Sequence, residues 1–480
     1  MRLASARSRW SFPTITIRLS VVLLLASCVQ AQPVDVSPVI PSSPATGGPS
    51  STHPNVVLIV TDDQRSDSLH VMPGVQRLLV RQGMTLRRAI VSNPLCCPSR
   101  ASILTGRYSH TTGVYFNRGP HGGWRAFKSS ESSTIATALH SVGYRTALIG
   151  KYMNGYGRDL YVPPGWDRWF AFAGANGAYY DYTMFDNAGG PHRVPFGSSP
   201  SDYSTDVIRR HAVSFIRTTP RGTPFFLMVT PYAPHGPPLP AARDRDDLAD
   251  APVHLGPAVN EADTSDKPAY IRHHGPVVPD FMRKLTRRQW ETLQAVDDLV
   301  SGVLRALSET ARSRTTLVIF TSDNGVANGE HRWRYKMDPY EESIRVPFVI
   351  RYPGVIPAGS ASRALVSNVD IAGTIADFAG ASLPTDGPSM RPIVTRARTS
   401  IRGSVLLEHT RYTSVVPTYC GLRTRGFTFV RYATREEELY DLRSDPAELM
   451  NVVKARPKTA ARLRALTKAR CRPVPPGFSW

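Results

Sequence analysis

Lysine is scarce in this chain. Only eight of its 58 basic residues are lysine, against 38 acidic residues and a formal net charge of +20. Arginine bias of this kind accompanies GC-rich coding, and the same charge would attract an anionic surface or polymer. A lysine kept against the bias marks a place where arginine is expected not to serve, which singles out Lys151 and Lys336. No basic run interleaves with aromatic residues, so nucleic acid is not indicated as a partner. Long apolar runs are missing as well. Val21 to Ala26 is too short to span a bilayer. Cysteine is rare, with five residues at 28, 96, 97, 420 and 471. At 480 residues the chain can bury one large core or two smaller ones.

Residues 1–28 read as an export signal, with Arg2, Arg7, Arg9 and Arg18 ahead of the apolar stretch. Leu25-Ala26-Ser27-Cys28 resembles a bacterial lipobox, in which the cysteine is lipidated and becomes the new N-terminus. Free secretion with cleavage after Ala31 is the alternative. Residues 29–54, rich in Pro, Ser, Gly and Thr, read as a disordered tether. The expectation is an exported, cell-surface protein held to the membrane only by a lipid on Cys28.

Four apolar runs then share one layout. Asn55 to Val60 leads into Thr61-Asp62-Asp63, and Arg145 to Gly150 leads into Lys151. Pro224 to Val229 leads into Pro231-Tyr232-Ala233-Pro234-His235, and Thr315 to Phe320 leads into Ser322-Asp323-Asn324-Gly325. Continuous apolar runs rich in β-branched residues read as buried parallel strands. Ligands bind at the carboxyl ends of such strands, so these polar ends are expected to share one crevice. Helical patterns at Ser130–Val142, Thr205–Arg217 and Arg287–Leu307 lie between the strands. Strands alternating with helices imply an α/β fold with a large, mostly parallel sheet flanked by helices. Residues 237–285 read as a long loop, 345–353 as a strand and Asp370–Ala379 as a helix. The expected catalytic domain is 55–400. A smaller C-terminal subdomain, 401–480, is expected to hold an antiparallel sheet and a basic helix from Pro457 to Arg470. An exported protein meets an oxidising compartment, so Cys420 and Cys471 are expected to form a disulfide.

The central stretch is 92–107, Ser-Asn-Pro-Leu-Cys-Cys-Pro-Ser-Arg-Ala-Ser-Ile-Leu-Thr-Gly-Arg. Pro98 and the apolar run that follows place Cys96 and Cys97 at a helix N-terminus, with Arg100 one turn in and Gly106 closing the helix. That end of a helix suits an anionic ligand. Paired acids such as Asp62 and Asp63 at a strand end repel unless a cation lies between them.

Cys96-Cys97-Pro98-Ser99-Arg100 with Thr105-Gly106 resembles the Cys-x-Pro-Ser-Arg…Thr-Gly stretch of type I sulfatases, and the likeness extends over most of 55–450. The resemblance implies an alkaline-phosphatase-like fold and oxidation of Cys96 to formylglycine (3-oxoalanine) by a formylglycine-generating enzyme. It implies Asp62, Asp63, Asp323 and Asn324 as ligands of a divalent cation, usually Ca²⁺, with Cys96 as a further ligand after modification. It also implies Lys151 and Lys336 at the sulfate oxygens, His235 near the leaving-group oxygen, and Arg100 holding the nucleophile and the metal-side carboxylates. The Tyr440-Asp441-Leu442 region resembles the family's C-terminal stretch. One departure stands out. Many sulfatases carry Gly-Lys-x-His where this chain has Met153 and then Asn154, a version similar to the N-acetylglucosamine-6-sulfatase branch. The elimination base is therefore unassigned; Asn154, His110 and His331 are candidates, and His331 is expected to line the substrate edge. The implied activity is hydrolysis of a sulfate monoester, here a sulfated carbohydrate resembling 6-O-sulfo-N-acetylglucosamine. Alternatives are an arylsulfatase, a phosphate or phosphonate ester hydrolase of the same superfamily, and a non-catalytic glycan-binding lipoprotein.

Overall fold

The computed structural model describes residues 53–480 apart from 158, 160, 175 and 176. The expected export signal, Cys28 and nearly all of the expected tether lie outside the described residues.

A ten-stranded sheet forms the centre. Its strands are β1 (Asn55–Thr61), β2 (Met84–Ile90), β3 (Arg145–Gly150), β4 (Arg168–Phe172), β5 (Tyr182–Asp186), β6 (His192–Phe196), β7 (Phe225–Thr230), β8 (Thr316–Ser322), β9 (Phe348–Arg351) and β10 (Ser360–Ser367). Their spatial order is β10-β2-β9-β8-β1-β7-β3-β4-β5-β6. The run β8-β1-β7-β3-β4 is parallel throughout. β9 runs antiparallel to both its neighbours, and β5 and β6 add an antiparallel hairpin at one edge.

Alternate residues of β1 explain why the sheet must be covered on both sides. Val56, Leu58 and Val60 enter one core, which also takes Ile103 and Leu104 of the Cys96–Thr105 helix and Ile371 and Ile375 of the Asp370–Ala379 helix. Val57 and Ile59 enter the opposite core, with Val207 and Phe215 of the Ser204–Thr218 helix and Leu299 and Val303 of the Pro279–Glu309 helix. The chain is therefore α/β, a helix-flanked and mostly parallel sheet. A second, four-stranded antiparallel sheet follows in the order β11 (Ser404–His409), β12 (Tyr419–Thr424), β13 (Phe427–Tyr432) and β14 (Glu437–Asp441). The Pro457–Arg470 helix packs on it, and Cys420 of β12 is bonded to Cys471 just past that helix.

Some boundaries differ from the sequence pattern. The segment expected as helix from Ser130 is regular only over Ile135–Ser141, because Thr134 caps it in a reciprocal capping box with Thr137. The helix expected over Arg287–Leu307 begins at Pro279, a residue favoured in a first helical turn. The expected loop 237–285 contains a short helix, Ala269–Arg272.

Candidate active site

Register brings the functional residues to one rim of the sheet. Thr61 pairs with Ser322, so Asp62 and Asp323 leave adjacent strands side by side. Gly150 pairs with Thr230, so Lys151 leaves beside the segment carrying His235. Gly150 has φ +123°, and a Cβ there would lie 2.1 Å from the Thr230 carbonyl oxygen; only glycine permits that approach. The Cys96–Thr105 helix starts on the same rim and ends at Gly106 in the left-handed conformation. Its first turn is fixed by Asn117, whose Oδ1 accepts the Cys97 N–H at 2.8 Å.

The side chains form a dense ionic cluster. Arg100, 1% exposed, donates from Nε to Asp323 at 2.8 Å, from Nη2 to Asp62 at 3.2 Å, and from Nη1 to the Lys151 carbonyl at 2.9 Å. Lys151 Nζ donates to Asp62, and Lys336 Nζ donates to Asp63 and, at 2.9 Å, to the Cys96 sulfur. Cys96 Sγ lies 3.6 Å from Asp62 Oδ1. His235 Nε2 stands 3.7 Å from Asp63 Oδ2, and its Nδ1 is within 2.7 Å of the Gly236 carbonyl oxygen. That carbonyl fixes the neutral tautomer: Nδ1 carries the hydrogen and Nε2 faces the cluster.

Burial acts on Asp62, Asp323, the two cysteines and His235. It raises Asp62, but Lys151, His235, Arg100 and Lys336 outweigh it and hold the carboxyl well below the usual range. Asp323 is pushed up by burial and by the Asp62 charge. Burial, then Asp62, raises the Cys96 thiol, and burial takes Cys97 up to about 12. Neither unmodified thiol is a thiolate at neutral pH, so a simple cysteine nucleophile does not fit this setting. Burial lowers His235, against the pull of Asp63 and Asp62.

The oxygen donors at this rim suit a hard divalent cation. Asp62, Asp63, Cys96 and His235 each bring one ligand atom within 4.8 Å of the others. Asn324 donates from Nδ2 to Asp63 at 2.6 Å, which leaves its buried Oδ1 without a hydrogen-bond partner. An orphaned amide oxygen beside three carboxylates is the chemistry Ca²⁺ or Mg²⁺ requires.

The Sulfatase family model matches residues 54–381, and a second model, N-sulphoglucosamine sulphohydrolase C-terminal, matches 329–470. The chain belongs to the sulfatase family. It is 36% identical over 352 residues to a Sulf-1 homologue of Caenorhabditis elegans, covering 71% of this chain and 49% of that protein. It is 34% identical over 374 residues to the N-acetylglucosamine-6-sulfatase of Homo sapiens, covering 74% of this chain and 67% of that one. The chain thus spans about half the length of the first of these relatives. Among solved structures, one complexed with its substrate D-glucosamine-2-N,6-O-disulfate superposes with TM-score 0.76 at 24% identity, over 88% of this chain and 98% of that one. A phosphonate monoester hydrolase of Silicibacter pomeroyi superposes at 0.66 and 24% identity, over 87% and 94%. These two share the fold.

Nine residues singled out by the sulfatase resemblance meet at this rim: Asp62, Asp63, Cys96, Arg100, Lys151, His235, Asp323, Asn324 and Lys336. Of the candidate elimination bases, His331 and His110 do not join them. His331 is 1% exposed, stacked on Tyr340 and bonded to Glu261 at 2.7 Å, so it is a core residue and does not line a substrate edge. His110 is held by Glu408 at 2.9 Å, and the hollow it lines, with Tyr108 and Arg402, contains none of the nine. Met153 packs in the core. Asn154 lines an open cleft of about 1080 Å³ with Leu95, Asn117, Trp124 and Met337, and its N–H donates to Cys97 Sγ at 3.1 Å. Asn117 was missed by sequence reasoning, since a lone Asn ten residues past the 92–107 stretch carries no pattern.

Proposed function

We propose that this protein hydrolyses sulfate monoesters of a carbohydrate, of the 6-O-sulfo-N-acetylglucosamine kind, with Cys96 oxidised to formylglycine by a formylglycine-generating enzyme. The observation that carries this reading is the convergence of three cations, Arg100, Lys151 and Lys336, with three carboxylates around the Cys96 sulfur. The modified residue would supply the nucleophile, and a Ca²⁺ held by Asp62, Asp63, Asp323 and Asn324 would polarise the sulfate.

The remaining roles belong to the chain's own side chains. Lys151 and Lys336 neutralise charge on the sulfate oxygens from fixed, water-poor positions. Arg100 ties Asp62 to Asp323 and keeps both carboxylates facing the nucleophile. Asp323, raised by burial, accepts a proton at the nucleophile side. His235 takes up a proton from solvent at Nε2, the nitrogen left free by the Gly236 carbonyl, and the imidazolium so formed, favoured by the Asp63 and Asp62 charges, passes it to the leaving alcohol. The cleft lined by Asn154 and Trp124 receives the sugar. The curated relatives named for N-acetylglucosamine-6-sulfate support the substrate class.

Cys96→Ala is expected to abolish sulfate release, by about 10³-fold or more, while leaving the thermal unfolding curve unchanged. The substrates are 6-O-sulfo-N-acetylglucosamine and nitrophenyl sulfate, phosphate and phosphonate. Mass spectrometry of residues 89–107 reads the modification. Retained turnover in the variant would end the covalent mechanism, and phosphonate turnover above sulfate turnover would reassign the substrate. We also propose export with a lipid anchor on Cys28. Among the described residues no helix is long and apolar enough to cross a membrane. Cys28→Ala is expected to move the protein from the membrane fraction to the medium; an unchanged distribution would remove the anchor.

A further inference from the structure

We propose that an arginine-lined groove beside edge strand β10 is a second binding site, which holds a sulfated polysaccharide chain away from the nucleophile. The groove, about 430 Å³, is lined by Arg88, Arg363, Arg396, Arg398 and Arg425 over a floor that includes Met84 and Ile393. Five guanidinium groups around one groove repel one another, and a folded protein ordinarily sets carboxylates among them. Here none of the five has an ion-pair partner among the described residues. Their side-chain contacts are to carbonyls: Arg88 donates to the Arg363 carbonyl at 3.4 Å and Arg425 to that of Thr399 at 3.2 Å. The nearby acid, Glu341, is taken by Arg423 at 2.6 Å. Burial, and then the charges of Arg423, Arg363 and Arg425, lower the Arg88 pKa, which records how poorly the positive charge is compensated.

The shape and chemistry select the ligand. A guanidinium fork matches the oxygens of a sulfate or carboxylate group. Arg363, Arg396, Arg398 and Arg425 are exposed, so the groove is open to a long chain. None of the exposed large apolar residues lines it, so it lacks the inserting side chains of a lipid-binding surface. No aromatic residue lines it either, so it offers no platform for stacked bases. Strands β2, β9 and β8 separate β10 from β1, whose end carries Asp62. Four strand spacings put β10 roughly 19 Å across the sheet from β1, a lateral offset that a chain several sugars long can cover.

The inference relies on the proposed activity for the sulfated nature of the ligand, but its test does not require turnover. Full-length Cys96→Ala protein is titrated calorimetrically with dextran sulfate. The triple variant Arg363→Gln, Arg398→Gln, Arg425→Gln is expected to bind about tenfold more weakly, with a shallower salt dependence. A control with the same net charge, Arg221→Gln, Arg305→Gln, Arg314→Gln, alters exposed arginines elsewhere and is expected to bind within about twofold of the parent. The single Arg398→Glu variant on the exposed loop should shift binding in the same direction as the groove triple. Equal losses in groove and control variants would overturn the proposal by reducing the effect to net charge. So would unchanged dextran sulfate binding, or a loss confined to phosphatidylglycerol vesicles. In enzyme with Cys96 intact, the groove triple should raise KM for a sulfated polymer and leave turnover of nitrophenyl sulfate unchanged. If no sulfatase activity is found, the calorimetric result still decides the groove.

Discussion

Lys151 shows how much one position can carry in an arginine-rich chain. It is 2% exposed, its ammonium contacts Asp62 and lies 5.7 Å from the centre of the Tyr232 ring, and its carbonyl accepts Arg100. A point charge fits there, whereas a planar guanidinium needs room the Tyr232 ring and Asp62 do not leave. Lys151→Arg is therefore expected to lower kcat/KM for a sulfate ester by about 10²-fold or more, despite the conserved charge. Near-normal kinetics would show that only net charge matters. The strand-end residues were legible because a buried apolar run fixes where a strand stops, and the next side chain must face the rim. His331 was not legible. Its burial depends on Glu261, seventy residues earlier, and on the Tyr340 ring, contacts that local composition does not encode.

The helix from Cys96 and the helices Asp370–Ala379 and Pro457–Arg470 were legible from end signals in the sequence. The long Pro279–Glu309 helix was underread because Asp280 and Phe281 are solvent-exposed and break the apolar periodicity that usually marks a helix start. The edge hairpin β5–β6 escaped notice for a related reason, since β6 is mostly exposed and has no buried face to set a pattern. In the C-terminal subdomain the Cys420–Cys471 bond spans 51 residues and ties the last helix to β12. Chain-entropy arguments assign such a loop about 4 kcal/mol. Mild reduction is expected to lower the unfolding midpoint of the C-terminal sheet. Hydrogen exchange confined to residues 404–471 would detect it, and unchanged protection there would show that packing alone holds the subdomain.

Across the whole molecule, acid sensitivity has a specific contributor. His409 is fully buried against Phe116 and Tyr419, and neither ring nitrogen has a hydrogen-bond partner. Burial takes its pKa down to about 3. In the unfolded chain the value is about 6.5, so the unfolded state binds the proton first as pH falls. Stability from neutral His409 is present above about pH 6.5 and is lost towards pH 3, at up to about 1.4 kcal/mol per pH unit. Between pH 7 and 5, wild type should therefore lose stability relative to His409→Phe in denaturant titrations. A constant difference would mean that His409 does not titrate on unfolding.

Cys96 is fully buried, and the residues around it come from positions as far apart as 62 and 336. The enclosure exists only once β1, β3, β7 and β8 have paired, which requires contacts across some 260 residues. On the proposed reading, an enzyme that oxidises this thiol meets a closing window. It must reach the 92–107 stretch while the chain is still extended, and a copy that folds first keeps its cysteine. The yield of active protein would then be set by a race between modification and sheet closure, and conditions that slow folding would raise it.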